Sequence, residues 1–208
     1  FTGPHEVFWP SPGAQCVVAS VGGGEIHADG GLTISNVQRL ADIPHADLIC
    51  VPGGFGVIEA MEDAAFVREV RRLADGARYV TSVCSGSLVL GAAGLLQGKR
   101  AACHWAWRNL LPAFGATVDE SRVVRDGNLI TGGGVTAGID MALTVMADIA
   151  GAEHAQTVQL GIEYAPAPPF DCGRPERAAP QILEAVTSRL DRLRADRHDA
   201  VQRAAQRL

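Results

Sequence analysis

The stretch from Arg78 to Leu96, Arg-Tyr-Val-Thr-Ser-Val-Cys-Ser-Gly-Ser-Leu-Val-Leu-Gly-Ala-Ala-Gly-Leu-Leu, limits what this chain can fold into more than any other. Its first part (Tyr79, Val80, Thr81, Val83) is apolar and β-rich and stops at Cys84. Small residues then open a segment with apolar positions at helical spacing, Leu88, Leu90, Leu95 and Leu96. The spacing predicts strand, sharp turn and helix, with Cys84 on the turn. A nucleophile there stands clear of the sheet, and the free N–H groups and positive end of the following helix favour its thiolate. Gly86 and Ser87 keep the first turn small, so that backbone can approach a bound substrate. The layout is the cysteine counterpart of a nucleophile elbow, with Ser82 in place of the glycine usual two residues before the nucleophile. A buried structural cysteine at a strand end is the alternative.

At 208 residues the chain is expected to form one domain over residues 1–208. No apolar run approaches membrane-spanning length, so a soluble protein with no membrane partner is expected. No signal peptide is visible at Phe1, and the abrupt start inside a structured-looking motif leads us to expect residues upstream. The five cysteines (Cys16, Cys50, Cys84, Cys103, Cys172) are odd in number and widely spaced. That is no disulfide framework, and it points to the cytoplasm. A net charge of −5 argues against a large nucleic-acid footprint and for a small-molecule or protein partner.

Near the start, Thr2 is a candidate N-cap, with Pro4 in the first turn and Val7 and Phe8 facing inward. Glu6 reads as a solvated complement to the helix dipole rather than a catalytic acid. Residues 16–20 read as a short strand, Gly22 to Gly24 as a turn without the Lys-Ser/Thr of a phosphate-cradling loop, and residues 31–35 as a further strand or edge piece. Asp47 to Val51 is the near-continuous apolar run of a parallel strand buried on both faces. Pro52-Gly53-Gly54 ends it and is a candidate site for backbone amides to hold a developing anion, or else an ordinary strand-to-helix turn. A helix is predicted over residues 64–74, with Gly76 as its stop. A right-handed strand-helix-strand crossover then sets Gly54 beside Cys84.

Beyond the elbow, residues 100–104 read as a strand with His104 at its end, either a catalytic base or a structural hydrogen-bonding group. Residues 107–114 read as a short helix, and residues 122–131 as a hairpin turning at Asp126-Gly127. A long helix over 136–150 carries Asp140 as a surface or capping residue, and a second spans 153–164. Residues 165–173, rich in proline, cannot be helical. From about Pro180 to residue 208 the pattern is that of a solvated amphipathic helix that frays. No metal-ligand spacing and no dinucleotide fingerprint appears, so the simplest site uses no cofactor.

Taken in order, Phe1-Thr-Gly-Pro4, Val51-Pro-Gly-Gly-Phe-Gly56, Ser82-Val-Cys-Ser-Gly-Ser87, His104-Trp105 and Gly134-Val-Thr-Ala-Gly-Ile-Asp140 resemble the ThiJ/PfpI superfamily, which is class I glutamine amidotransferase-like. Within it the set is most similar to the isocyanide hydratases. The resemblance runs from Phe1 to about Pro169. It implies an α/β flavodoxin-like sandwich, with a mostly parallel central sheet and helices on both faces, and a homodimer with sites near the subunit interface. It also implies an isocyanide substrate, a catalytic cysteine at Cys84, and backbone donors at Gly54 and Ser85. The Ser85 hydroxyl takes a place where relatives often carry threonine. In isocyanide hydratases an aspartate that works with the cysteine directly precedes Phe-Thr-Gly-Pro, so that acid and a first strand are expected upstream of Phe1. Other activities share the motifs: cysteine-dependent glyoxalases, deglycases and peptidases, and ligand-sensing domains of transcription regulators. The regulators continue into a helix-turn-helix domain, for which 208 residues are expected to leave no room.

Overall fold

The computed structural model describes residues 1–28 and 30–208. In chain order the elements are α1 (Thr2–Phe8), β1 (Ala19–Ser20), β2 (Gly24–His27), β3 (Thr33–Arg39), β4 (Leu48–Val51), α2 (Val57–Glu62), α3 (Ala64–Gly76), β5 (Tyr79–Val83) and α4 (Gly86–Ala92). They continue as β6 (Arg100–Ala101), β7 (Thr117–Val118), β8 (Val123–Asp126), β9 (Leu129–Gly132), α5 (Ala137–Ala150), α6 (Ala152–Gly161), α7 (Pro180–Leu193) and α8 (Arg197–Ala205).

The sheet that carries the site runs β4-β5-β9-β8. Its first two pairings are parallel, and only the β8–β9 hairpin is antiparallel. All five residues of β5 are buried, as a strand covered on both faces requires. On one face Ile49, Val51, Val80 and Leu129 pack with α2, α3, α4 and α8 in the main core. On the other, Tyr79, Val83 and Ile130 meet Met141 and Val145 of α5. Helices on both faces of a largely parallel sheet make this the expected flavodoxin-like sandwich.

Local chemistry accounts for most boundaries. Asp63 caps α3, its carboxylate accepting from the N–H groups of Ala65 and Phe66 at 2.8 and 3.1 Å. The cap expected at Thr2 lies one residue earlier: Phe1 occupies that position and no side chain caps α1. Val7 is buried as expected and Phe8 only half-buried, while Pro4 in the first turn is buried too. The β8–β9 register pairs Asp126 with Leu129, so the turn residues are Gly127 and Asn128, with Gly127 supplying φ +67°. Residues 16–20 yield only the two-residue β1, and the 100–104 strand only β6. Gly24 begins β2 rather than completing a turn. Residues 108–114 form a 3-10 helix closed by Gly115 at φ +72°.

The C-terminal segment differs most from expectation. Instead of one fraying helix over 180–208 there are two, with Arg194 ending α7. No residue of α7 is buried, whereas Ala200, Val201 and Ala204 of α8 are 0, 0 and 2% exposed. The three occupy one stripe of α8, and their small side chains let that helix sit close against the core. No described helix is long and apolar enough to cross a membrane.

Candidate active site

β5 delivers Cys84 to the turn at φ +61°, a left-handed backbone conformation uncommon for a non-glycine residue. Its N–H is held by the Gly132 carbonyl at 3.0 Å, and the Ser87 hydroxyl donates to its carbonyl at 3.1 Å. These contacts pin both sides of the strained residue and leave the thiol half-buried between the Pro52–Gly56 turn and the end of β9. The cysteine therefore has the elbow geometry that its sequence setting implied.

The Pro52–Gly56 turn lies directly against it. A Cβ built on Gly53 would stand 2.6 Å from the Ser85 nitrogen and 2.8 Å from both Cys84 Cβ and Ser85 Oγ. A Cβ on Gly86 would be 2.1 Å from the Val51 carbonyl oxygen. Gly86 is thus small to admit the chain's own neighbouring turn, not only a bound substrate. Gly54, at φ +150°, donates its N–H to Ser85 Oγ at 3.2 Å, and the same hydroxyl lies 3.2 Å from the Gly54 carbonyl as a donor. The Gly54 amide meets the elbow. It does so through Ser85 rather than as a free donor.

Burial pushes the Cys84 thiol above its ordinary value, while the Ser85 N–H and the Ser85 hydroxyl pull it down. The balance favours the neutral thiol, contrary to the thiolate expected from the helix terminus. α4 has only seven residues, so its dipole is small, and desolvation dominates.

The other cysteines differ in setting. Cys103 is buried next to Ser87 and near Cys84, and its thiol is pushed up to about 12. Burial raises the Cys50 thiol too, in β4, while Cys16 and Cys172 are exposed in irregular segments rather than strands. The His104 ring accepts from the Ala106 N–H at Nδ1 (3.3 Å), which puts a neutral ring's proton on Nε2, and burial lowers its pKa. Its Cδ2 would be 3.8 Å from a Cβ on Gly134, so the ring borders the β9–α5 turn.

Asp140 is not an isolated helical acid. It accepts from Arg122 Nε at 2.5 Å and from the Tyr164 hydroxyl at 3.2 Å, while Arg122 also reaches Thr136 Oγ1 at 3.1 Å. That network ties the start of α5 to the hairpin. No short-range spacing could reveal it, because its members are 18 and 24 residues apart. Glu6 is exposed and lines a cleft of about 310 Å³ with Thr2, Gly3, Ile139, Ile162 and Glu163. Cys84 does not line that cleft.

A sequence profile of the DJ-1/PfpI family matches residues 1–148. Isonitrile hydratase from Pseudomonas putida is 48% identical over 207 residues, spanning 100% of this chain and 91% of that protein. The HTH-type transcriptional regulator CdhR of Pseudomonas aeruginosa is 32% identical over 145 residues, which are 68% of this chain and 42% of the regulator. Among solved structures, a ThiJ/PfpI family protein from Pseudomonas syringae superposes with a TM-score of 0.91 at 37% identity, covering 98% of this chain and 84% of that one.

Proposed function

The chain belongs to the DJ-1/PfpI family, and from that premise we propose that it hydrates isocyanides to N-substituted formamides through a covalent bond to Cys84. The observation that carries this reading is the 48% identity, over the whole chain, to a protein named isonitrile hydratase. The elbow geometry of Cys84 supports it.

The chemistry follows from the neutral thiol. Addition of S–H across the terminal carbon of R–N≡C forms a C–S and a C–H bond and gives the thioimidate R–N=CH–S–Cys84. Water then adds to the C=N bond, the C–S bond breaks, the thiol regains its proton, and R–NH–CHO departs. Ionisation of sulfur is needed only at the moment of attack, when the Ser85 N–H, and the Ser85 hydroxyl once its single proton turns from the Gly54 carbonyl to sulfur, stabilise the developing negative charge. The proton must pass from sulfur to carbon and later return from water, which suits a carboxyl group held near the thiol. We assign that role to the aspartate that isocyanide hydratases carry immediately ahead of Phe-Thr-Gly-Pro. His104, with Nδ1 accepting from backbone, is not the base.

The proposal includes a homodimer in the cytoplasm. Large apolar side chains are left exposed on or beside the mutually packed helices α1, α5 and α6, among them Trp9 (55%), Ile149 (44%) and Leu160 (82%), which suits a subunit interface. The cysteines, free among the described residues, suit a reducing compartment.

The test is a side-by-side assay of an alkyl isocyanide and methylglyoxal, with wild-type protein and His104→Ala. Formamide release that survives in His104→Ala is expected. Turnover of methylglyoxal alone, dependent on His104, would replace hydration with a glyoxalase or deglycase activity.

A further inference from the structure

A string of hydrogen bonds leads from the C-terminal segment to the site. The side chain of Arg194, only 12% exposed, sits where α7 gives way to α8. Asp196 accepts from Nε at 3.1 Å and from Nη2 at 3.0 Å, a two-point grip that fixes the plane of the group. Nη1 is thereby aimed at the Phe55 carbonyl, which it reaches at 2.7 Å, and at the Glu59 carboxylate at 3.1 and 3.2 Å. Phe55 directly follows Gly54, whose amide and carbonyl both meet Ser85 Oγ. Ser85 in turn lies at the Cys84 thiol.

The turn between β4 and α2 thus has two anchors. On the elbow side Gly54 holds Ser85, and on the far side Phe55 is held by Arg194. Three glycines, Gly53, Gly54 and Gly56, leave this turn with little stiffness of its own. The anchor itself is firm. α8 is set in the core by Ala200, Val201 and Ala204, and it grips the other end of α2 through Arg203 Nε to Glu62 at 2.6 Å and Arg207 Nη1 to the Glu62 carbonyl at 3.1 Å.

We propose that Arg194 is a positioning residue for the reaction at Cys84, acting through the Phe55 carbonyl to hold the Gly54 backbone and the Ser85 hydroxyl in register with the thiol. The inference rests on the proposed chemistry of Cys84 and extends the working site to the C-terminal helices. Arg194 touches no reacting atom. Its effect is to keep Ser85 where it stabilises the charge that develops on sulfur during attack, so its loss acts on kcat rather than on substrate affinity.

The experiment compares Arg194→Met, Arg194→Lys and Arg203→Met in the full chain. Three readouts are used: formamide formation, the pH profile of Cys84 alkylation by iodoacetamide, and thermal melting. Arg194→Met keeps the apolar stem and removes every donor. It is expected to lower kcat about tenfold, within the range that sub-ångström misplacement produces, with KM changed less than twofold. The midpoint of its alkylation profile should move to higher pH. Lysine, able to donate one bond to Phe55, should recover part of both losses. Arg203→Met removes a contact of similar kind at the far end of α2, and should lower the melting temperature while leaving the alkylation midpoint in place.

The proposal is overturned if Arg194→Met melts lower with an unmoved midpoint, or if Arg203→Met moves the midpoint as far. If Arg194→Met does not fold, Arg194→Lys decides alone: loss of the planar fork must shift the profile. Absence of isocyanide turnover in wild-type protein would sink the hydratase reading, yet the alkylation profiles would still decide the role of Arg194.

Discussion

Replacing Gly86 by alanine probes how closely the Pro52 turn and the elbow are packed. The new methyl would lie 2.1 Å from the Val51 oxygen and 2.9 Å from the carbonyl carbon and oxygen of Pro52. Relieving the closest approach requires a separation of roughly 1 Å between α4 and the end of β4, and no side chain can absorb it because all three obstructing atoms are backbone. Overpacking against a fixed wall costs about 3 kcal/mol. Alanine's better helix propensity returns about 1 kcal/mol. A net loss of about 2 kcal/mol is therefore expected in urea denaturation. The separation also draws Cys84 away from Gly54, and a misplacement of about 1 Å costs on the order of 100-fold in rate. Gly56→Ala is the control, since nothing lies within 4 Å of its Cβ position and its φ is −66°. It should gain about 0.5 kcal/mol by restricting the unfolded chain. A Gly86→Ala protein with an unchanged urea midpoint and full activity would refute the packing argument.

Further outcomes follow from single side chains. Ser85→Ala should slow formamide formation about tenfold, less than loss of Cys84, because the Ser85 N–H remains; a rate equal to wild type would show that the hydroxyl is idle. Ser82 Oγ is buried with no hydrogen-bond partner among the described residues, so Ser82→Ala should stabilise by about 1 kcal/mol, checked by its urea midpoint. Cys103 is pushed up to about 12, whereas in the unfolded chain it ionises near 9.0. The folded protein then binds the extra proton, and stability should fall by up to about 1.4 kcal/mol per pH unit above that lower value until the folded thiol also ionises. That slope should be reduced in Cys103→Ala. For His104 the sign is reversed: its folded pKa lies below 6.5, so its burial makes the protein less stable as pH falls below that value, a loss His104→Ala should lack.

The strands of the site-bearing sheet and the elbow were legible because their signals are local. The β5 run and the break at Cys84 lie within a few residues, and the parallel crossover follows from chain order. Asp126-Gly127 marked the hairpin, although the turn residues are Gly127 and Asn128. α2 was missed even though Val57, Ile58 and Met61 have helical spacing, because six residues give too short a window. The docking of α8 was missed for another reason. Its buried stripe is Ala200, Val201 and Ala204, small residues among Arg and Asp, and sequence amphipathicity weighs such a stripe as polar. The long-range contacts of the arginines, ion pairs included, left no trace at all. Arg194 lies 139 residues from Phe55, and Arg122 reaches Asp140 through the fold alone. At Cys84 the position was readable but the thiol's ionisation was not, since burial cannot be read from a turn motif.

Reaction through Cys84 is tested most directly by following N-alkylformamide formation from an alkyl isocyanide with wild-type protein and Cys84→Ala, whose melting curves are compared. Wild type should release formamide, a quenched sample should carry the thioimidate mass on the peptide containing Cys84, and Cys84→Ala should melt normally and release none above the uncatalysed rate. Formamide formation persisting in a folded Cys84→Ala protein, or adduct mass on Cys16, Cys50, Cys103 or Cys172 instead, would contradict it.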